Sequence, residues 1–165
     1  VIVHRRLALA AALVLAVTLG NAGAATAVPG TWDAPVTLSD PGGSADSPQL
    51  VTDGTTTTAI WSRLDGAFSR IESSTTTNGT TWSAPEVLSD NGQDAFAPQV
   101  VTDGTTTTAI WTRSDGSNYR IQSSTSTNGD PWSTPVTLSD PGQDAYAPQL
   151  VTRGAVVTAV WYRSD

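Results

Sequence analysis

The sequence has no cysteine, no methionine and no lysine, and only one histidine, His4. Each absence removes a class of chemistry. Without cysteine there is no thiolate nucleophile and no disulfide, so packing and sheet hydrogen bonds must hold the fold. His4 sits in an amino-terminal stretch with the marks of a removable export signal. With it gone, neither a Ser–His–Asp triad nor an ordinary zinc site can be assembled. The 8 basic residues, all Arg, face 15 acids, a formal charge of −7 that becomes −9 if Arg5 and Arg6 leave with the signal. A lysine-free acidic surface argues against binding nucleic acid or anionic membrane through phosphates.

Residues 1–24 read as a helical signal peptide. Val1 to Arg6 is basic, Leu7 to Leu19 is apolar except for Thr18, and Ala22-Gly23-Ala24 and Ala25-Thr26-Ala27 both fit an A-x-A cleavage site. The apolar run of about 13 residues is short of the roughly 17–25 that a membrane span needs. The expected location is therefore secreted and extracellular, with no membrane association after cleavage.

What the sequence does contain is a repeat. Trp32, Trp82 and Trp132 are spaced by 50 residues, as are Trp61, Trp111 and Trp161. Pro48 to Trp61 (PQLVTDGTTTTAIW) recurs at Pro98 to Trp111 with one change, and Pro148 opens a looser third copy (PQLVTRGAVVTAVW). A constant period without insertions means one structural unit copied. Each unit reads as β: Val, Ile, Thr and Trp fill the apolar runs, and Gly, Asp, Asn and Pro punctuate them. In the second unit the expected strands are Gln99 to Thr102, Thr105 to Arg113, Tyr119 to Thr125 and Trp132 to Leu138. Asp103-Gly104, Ser114 to Ser117 and Asn128-Gly129 are the turns between them.

Four antiparallel strands in about 50 residues is the size of a β-propeller blade. The predicted fold is all-β: a partial propeller of four-stranded antiparallel blades, with about 2.8 copies of the repeat after the signal. The divisions are a linker with an orphan outer strand (Thr31 to Leu38) over residues 25–47, blade 1 over 48–97, blade 2 over 98–147 and an incomplete blade 3 over 148–165. A β-sandwich or a β-solenoid are the alternatives. Closed propellers have roughly four to eight blades, so the chain is expected either to be a fragment of a longer propeller or to form a homo-oligomer that completes one.

Thr75-Thr76-Thr77-Asn78-Gly79-Thr80-Thr81-Trp82 is similar to the Asp-box of sialidase-like propellers, S/T-x-D-x-G-x-T-W, and Thr125 to Trp132 is a weaker copy. Gly79, Gly129, Trp82 and Trp132 fall on matching positions, while Thr77 and Thr127 replace the carboxylate. With the W-S-x-P-x-x-L-S-D stretches, the likeness covers most of residues 31–165, and the chain resembles secreted bacterial repeat proteins of the sialidase-like type. The resemblance implies that these turns are folding elements remote from any catalytic centre. In physical terms, the Gly permits a positive φ, the Trp pins the hairpin, and Thr77 can bond the loop backbone.

The resemblance also implies a test for catalysis: three Arg on a substrate carboxylate, a Tyr nucleophile paired with Glu, and an Asp acid/base. Arg63, Arg113 and Arg163 form one repeated series and Arg70 and Arg120 another, so they read as structural partners of nearby Asp. Unrepeated residues, Glu72, Glu86, Tyr119 and Tyr146, are the better catalytic suspects, although nothing in the sequence brings any pair together, and no catalytic residue is assigned. Trp61, Trp111 and Trp161 sit mid-strand and read first as core. As the alternative, Trp61, Arg63 and Asp65, with Trp111, Arg113 and Asp115, and with Trp161 and Arg163, would form equivalent shallow sugar sites strengthened by multivalency. No cofactor and no metal are expected. Calcium is the alternative at Asp90 to Asp94 and Asp140 to Asp144, where two acids lie four apart around Gly. The functional expectation is a secreted non-catalytic binding or scaffold module with a glycan as ligand. The alternatives are a truncated sialidase-like glycoside hydrolase and a structural surface repeat protein.

Overall fold

The computed structural model of the chain describes Ile2–Val3 and residues 34–164. The described residues are all-β, with twelve strands and no helix. Strands β3 (Ala45–Thr52), β4 (Thr57–Asp65), β5 (Phe68–Thr76) and β6 (Glu86–Val87) form one antiparallel sheet in sequential order. Strands β7 (Ala95–Thr102), β8 (Thr106–Ser114), β9 (Tyr119–Thr127) and β10 (Val136–Thr137) repeat it. Strands β11 (Ala145–Arg153) and β12 (Val156–Arg163) form a third, two-stranded sheet.

The short strands β1 (Ile2–Val3) and β2 (Val36–Thr37) pair antiparallel, Val3 opposite Val36. This departs from expectation twice. Ile2 and Val3, expected in a helical export segment, are extended. Of the orphan outer strand expected over Thr31 to Leu38, residues 34–38 are described, and among them Val36–Thr37 is strand and has a partner. The rest of the export segment, its cleavage sites and Trp32 lie outside the described residues.

The second strand of each four-stranded sheet, β4 and β8, is buried on both faces over its centre, which is why it reads as a near-continuous β-forming run. On β4, Ala59 and Trp61 point to one side and Ile60 and Ser62 to the other, and all four are buried. Ile60, Ile71 and Leu88 from the first sheet meet Ala95, Ala109 and Trp111 from the second, with Val100 and Trp132 packed against them. Ile110 and Ile121 meet Ala145, Leu150, Ala159 and Trp161 in the same manner. Strand β7 packs on β3, β4 and β5, and β11 on β7, β8 and β9. Sheets thus stack face to face, each one's first strand lying across its predecessor. A fully buried indole covers about 150–250 Å², worth roughly 4–6 kcal/mol at about 25 cal/mol/Å² as an upper figure. Trp61 and Trp111, both 0 % exposed, anchor these layers.

The first strand of each unit starts earlier than its sequence suggests. A bulge between Phe96 and Gln99 carries β7 through Pro98, and equivalent bulges interrupt β3 and β11. Ser47, Ala97 and Ala147 have φ of 51°, 53° and 49° there. A bulge absorbs both the missing proline N–H and the left-handed residue, so the proline does not end the strand.

Candidate functional site

The repeated arginines are clamps on the loops between sheets. Arg63 sends Nε to the Asp40 carbonyl and Nη2 to the Pro41 carbonyl, both at 3.3 Å, and Nη1 to Glu72 Oε1 at 3.2 Å. Arg113 reaches the carbonyls of Asn91 and Ser114, and Arg163 reaches Asp140 Oδ2 at 3.1 Å. From the preceding sheet, Arg70 holds the Ser89 hydroxyl and carbonyl and Asn91 Oδ1, while Arg120 holds the Ser139 hydroxyl and carbonyl and Asp115 Oδ2. The loop from Ser89 to Asp94 is thereby held by Arg70 on one side and Arg113 on the other. Each of these arginines is spent on its local loop; Arg120–Asp115 and Arg163–Asp140 are pairs with Asp as expected, Arg63 pairs with Glu72, and the other bonds go to backbone carbonyls, serine hydroxyls and Asn91.

The catalytic suspects are likewise engaged in structure. Glu72, 3 % exposed, accepts from Trp61 Nε1 at 2.9 Å and from Arg63, so both oxygens are occupied. Tyr119 belongs to an aromatic ladder, Phe96–Tyr119–Tyr146–Tyr162, with ring centroids 5.5, 5.0 and 5.4 Å apart. Tyr146 donates its hydroxyl to Asp144 Oδ2 at 3.0 Å. Burial and that carboxylate push the phenol up to about 12. Glu86 is exposed on β6 and lines a groove described below.

Two of the three indoles weighed as sugar platforms, Trp61 and Trp111, have no exposed surface at all. Trp161 is half-buried against Ile110 and Ile121. Asp115 caps its own turn, accepting from the Ser117 and Asn118 amides at 2.9 and 2.8 Å. Those amides hold its carboxyl below the ordinary range. Asp53 and Asp103 cap the β3–β4 and β7–β8 hairpins identically and are lowered for the same reason. Asp65 is an exposed residue at the end of β4.

In the loops weighed for calcium, Asp94 and Asp144 are committed elsewhere. Asp94 Oδ1 accepts the Ser69 amide and Asp144 Oδ1 the Tyr119 amide, each at 2.8 Å. Among the described residues no three His, Cys, Asp or Glu side chains gather into a metal-binding cluster.

The Asp-box-like turns correct one assignment. Thr77 is exposed and does not bond the turn; Thr76 and Asn78 do. Thr76 Oγ1 accepts from the Gly79 amide at 2.9 Å, and Asn78 Oδ1 accepts from the Thr80 and Thr81 amides at 2.9 and 2.8 Å. Alternation along β5 buries Thr76 and turns Thr77 outward, so Asn78 takes the part that the missing carboxylate was expected to leave to Thr77. In the second copy Pro131 has no amide to offer. That turn closes instead by Asp130 N to the Thr127 carbonyl at 2.9 Å, with Asn128 and Gly129 at φ of 53° and 79°, the geometry of a type I′ hairpin. Thr127 itself is exposed at the end of β9.

Trp132 reaches beyond its own sheet. Its Nε1 donates to Ser73 Oγ at 3.0 Å on β5 of the preceding sheet, strapping the two sheets together. Beside that strap lies a groove of about 380 Å³ that no sequence signal announced. Its walls come from both sheets: Asp53, Thr56, Thr58, Ser73, Thr75 and Glu86 from the first, Thr105, Thr107, Ser126, Asp130 and Trp132 from the second. A second, shallower opening also borders Trp132, shares Glu86 and extends to Asp65 and Arg70. A hydroxyl-rich trough with acids and one half-buried indole offers many weak, directional partners and no concentrated charge pair. No protein-family model and no curated protein matches the chain.

Proposed function

We propose that the chain is a secreted, non-catalytic module of the β-propeller type, a binding or scaffold unit whose ligand is a carbohydrate bound in the groove between the first two sheets. The observation that supports it most is the lining of that groove, where Thr and Ser hydroxyls, Asp53, Glu86 and Asp130 surround the indole of Trp132. A sugar matches such a surface because its hydroxyls exchange bonds with hydroxyls and carboxylates while its apolar face stacks on an aromatic ring. The face-to-face stacking of equivalent four-stranded sheets favours radial blades over a two-layer sandwich. The resemblance of Thr75–Trp82 to sialidase-like repeats points the same way.

A neutral-glycan array, followed by calorimetry on any hit, tests the reading. Binding is expected in the millimolar to micromolar range. Glu86→Gln and Trp132→Phe are expected to weaken it at least tenfold while leaving the circular dichroism spectrum unchanged. A hit that both variants leave intact, or a blank array, would sink it. The structural surface-repeat reading has support of its own, since Trp61, Trp111 and five arginines are absorbed into packing.

A further inference from the structure

We propose that the ligand is a linear, uncharged oligosaccharide of several sugars, lying lengthwise in one channel between the first two sheets instead of presenting a single terminal sugar to a pocket. The proposal rests on the carbohydrate reading and adds to it the length, direction and charge of the ligand. Both walls of the channel belong to the complete four-stranded sheets.

The groove at Trp132 and the shallower opening are two stretches of that channel, because both are lined by Glu86 and Trp132. Chain order aligns them. Around β6, Ser83 and Glu86 line the groove, and Glu86 to Asn91 line the opening. Ahead of β10, Gly129 to Trp132 line the groove, and Trp132 to Pro135 line the opening. The strands behind agree. Thr58 and Thr75, paired across β4 and β5, lie in the groove, whereas Asp65 and Arg70, towards the other end of the same two strands, lie in the opening. The channel therefore runs along the strands with Glu86 and Trp132 at its middle. Its wall from Gly129 to Pro135 spans at most about 20–22 Å at roughly 3.3–3.6 Å per residue. The two stretches hold about 380 and 600 Å³, more than one sugar ring fills. Proline accounts for the gap: Pro85, Pro131 and Pro135 keep the segments ahead of β6 and β10 out of the ladders, where pairing is confined to Glu86–Val87 and Val136–Thr137.

Charge narrows the ligand further. Asp53, Glu86 and Asp130 line the groove, and Asp65 and Asp90 join Glu86 in the opening. None of these five acids is in an ion pair among the described residues. Arg70, the cation in the lining, is spent on Ser89 and Asn91. A channel of one sign repels an anionic chain, a polyuronate or a sialylated glycan included. The ends carry no wall: Asp53 and Asp130 at one, and Asp65 and Asn91 at the other, are exposed. Sugars beyond the bound ones can continue past both.

Calorimetry of the purified chain tests this with linear oligomers of glucose, mannose, xylose and N-acetylglucosamine, from monomer to hexamer, beside a hexamer of galacturonate. For at least one neutral series, affinity is expected to rise at least about tenfold from dimer to tetramer, because added sugars reach the second stretch after the cost of association has been met once. The galacturonate hexamer is expected not to bind. Asp65→Ala combined with Asp90→Ala, both exposed side chains, is expected to erase the gain, so that the tetramer binds that variant no better than the dimer does. Affinity that does not change with length overturns the proposal and leaves the carbohydrate reading standing. A double variant that keeps the gain, or a galacturonate hexamer that binds as tightly as the neutral ones, does the same. If none of the oligomers binds while the glycan array scores a hit of another kind, this proposal alone falls; a blank array takes both.

Discussion

Glu72 and Gln122 occupy the same register, opposite Trp61 and Trp111, and the difference between them is a prediction about stability. In the first sheet the carboxylate accepts from the Trp61 indole and from Arg63 at side-chain exposures of 4 % and 12 %. In the second sheet the amide leaves Trp111 Nε1, Gln122 Oε1 and Arg113 Nε without partners. Glu72→Gln removes a charge-assisted bond from a buried site. Breaking a buried ion pair costs about 3–5 kcal/mol when the remaining charge is stranded. Arg63 would not be stranded, because two backbone carbonyls remain within 3.3 Å. The expected loss is therefore about 1–3 kcal/mol, a melting midpoint lower by about 3–12 °C. The reverse change, Gln122→Glu, supplies acceptors for orphaned donors and is expected to add about 0.5–1.5 kcal/mol after the carboxylate's burial is deducted. Urea titration followed by tryptophan fluorescence measures both. A double-mutant cycle of Glu72→Gln with Arg63→Gln should show coupling of about 1 kcal/mol. Unchanged stability in Glu72→Gln, or a destabilised Gln122→Glu, would refute the reasoning.

Three further outcomes are expected. Gly43→Ala would place its Cβ 2.1 Å from the Leu64 carbonyl oxygen, so the backbone must shift, and a loss of about 1–3 kcal/mol should appear in the same titration. Trp132→Phe removes the bond to Ser73 Oγ and leaves that hydroxyl half-buried, which should cost about 1–2 kcal/mol and raise amide exchange in β5. Stability should fall at both ends of the pH scale. Asp53, Asp103, Asp115 and Asp144 are held low by backbone amides, so their contribution is complete above the unfolded value of about 3.9 and is lost as pH drops through their folded values. Tyr146 is raised to about 12, so its contribution is complete below about 10 and is lost as pH climbs from there towards 12. A flat acid limb in urea titrations from pH 5 to 2 would contradict the turn-capping role. Tyr146→Phe should flatten the alkaline limb.

Periodicity made the sheets legible, because a strict repeat of Trp and Asp-Gly hairpins leaves little freedom in strand order. The turns at Asp103-Gly104 and Asn128-Gly129 were visible for the same reason: those residue pairs suit positive φ. Pro98 hid the start of β7, since a proline normally ends a strand and only coordinates reveal a bulge. Trp132 to Leu138 looked like a full strand, yet Pro135 confines pairing to Val136–Thr137. The groove was invisible because its walls lie on two sheets, and no spacing within one repeat brings Ser73 to Trp132. The structural part of Glu72, named only as a catalytic suspect, was hidden because its partners, Trp61 and Arg63, are set by cross-strand register.

The double grip on the loop from Ser89 to Asp94 has a mechanical consequence. Arg70 and Arg113 hold the same short segment from opposite sides, and Asp94 is tied to Ser69 and to Ser114 as well. The crossing between the first two layers is therefore a rivet more than a tether. A peptide bond cleaved at Asn91-Gly92 would leave both fragments fastened together, and the stack should melt as one body instead of shedding layers.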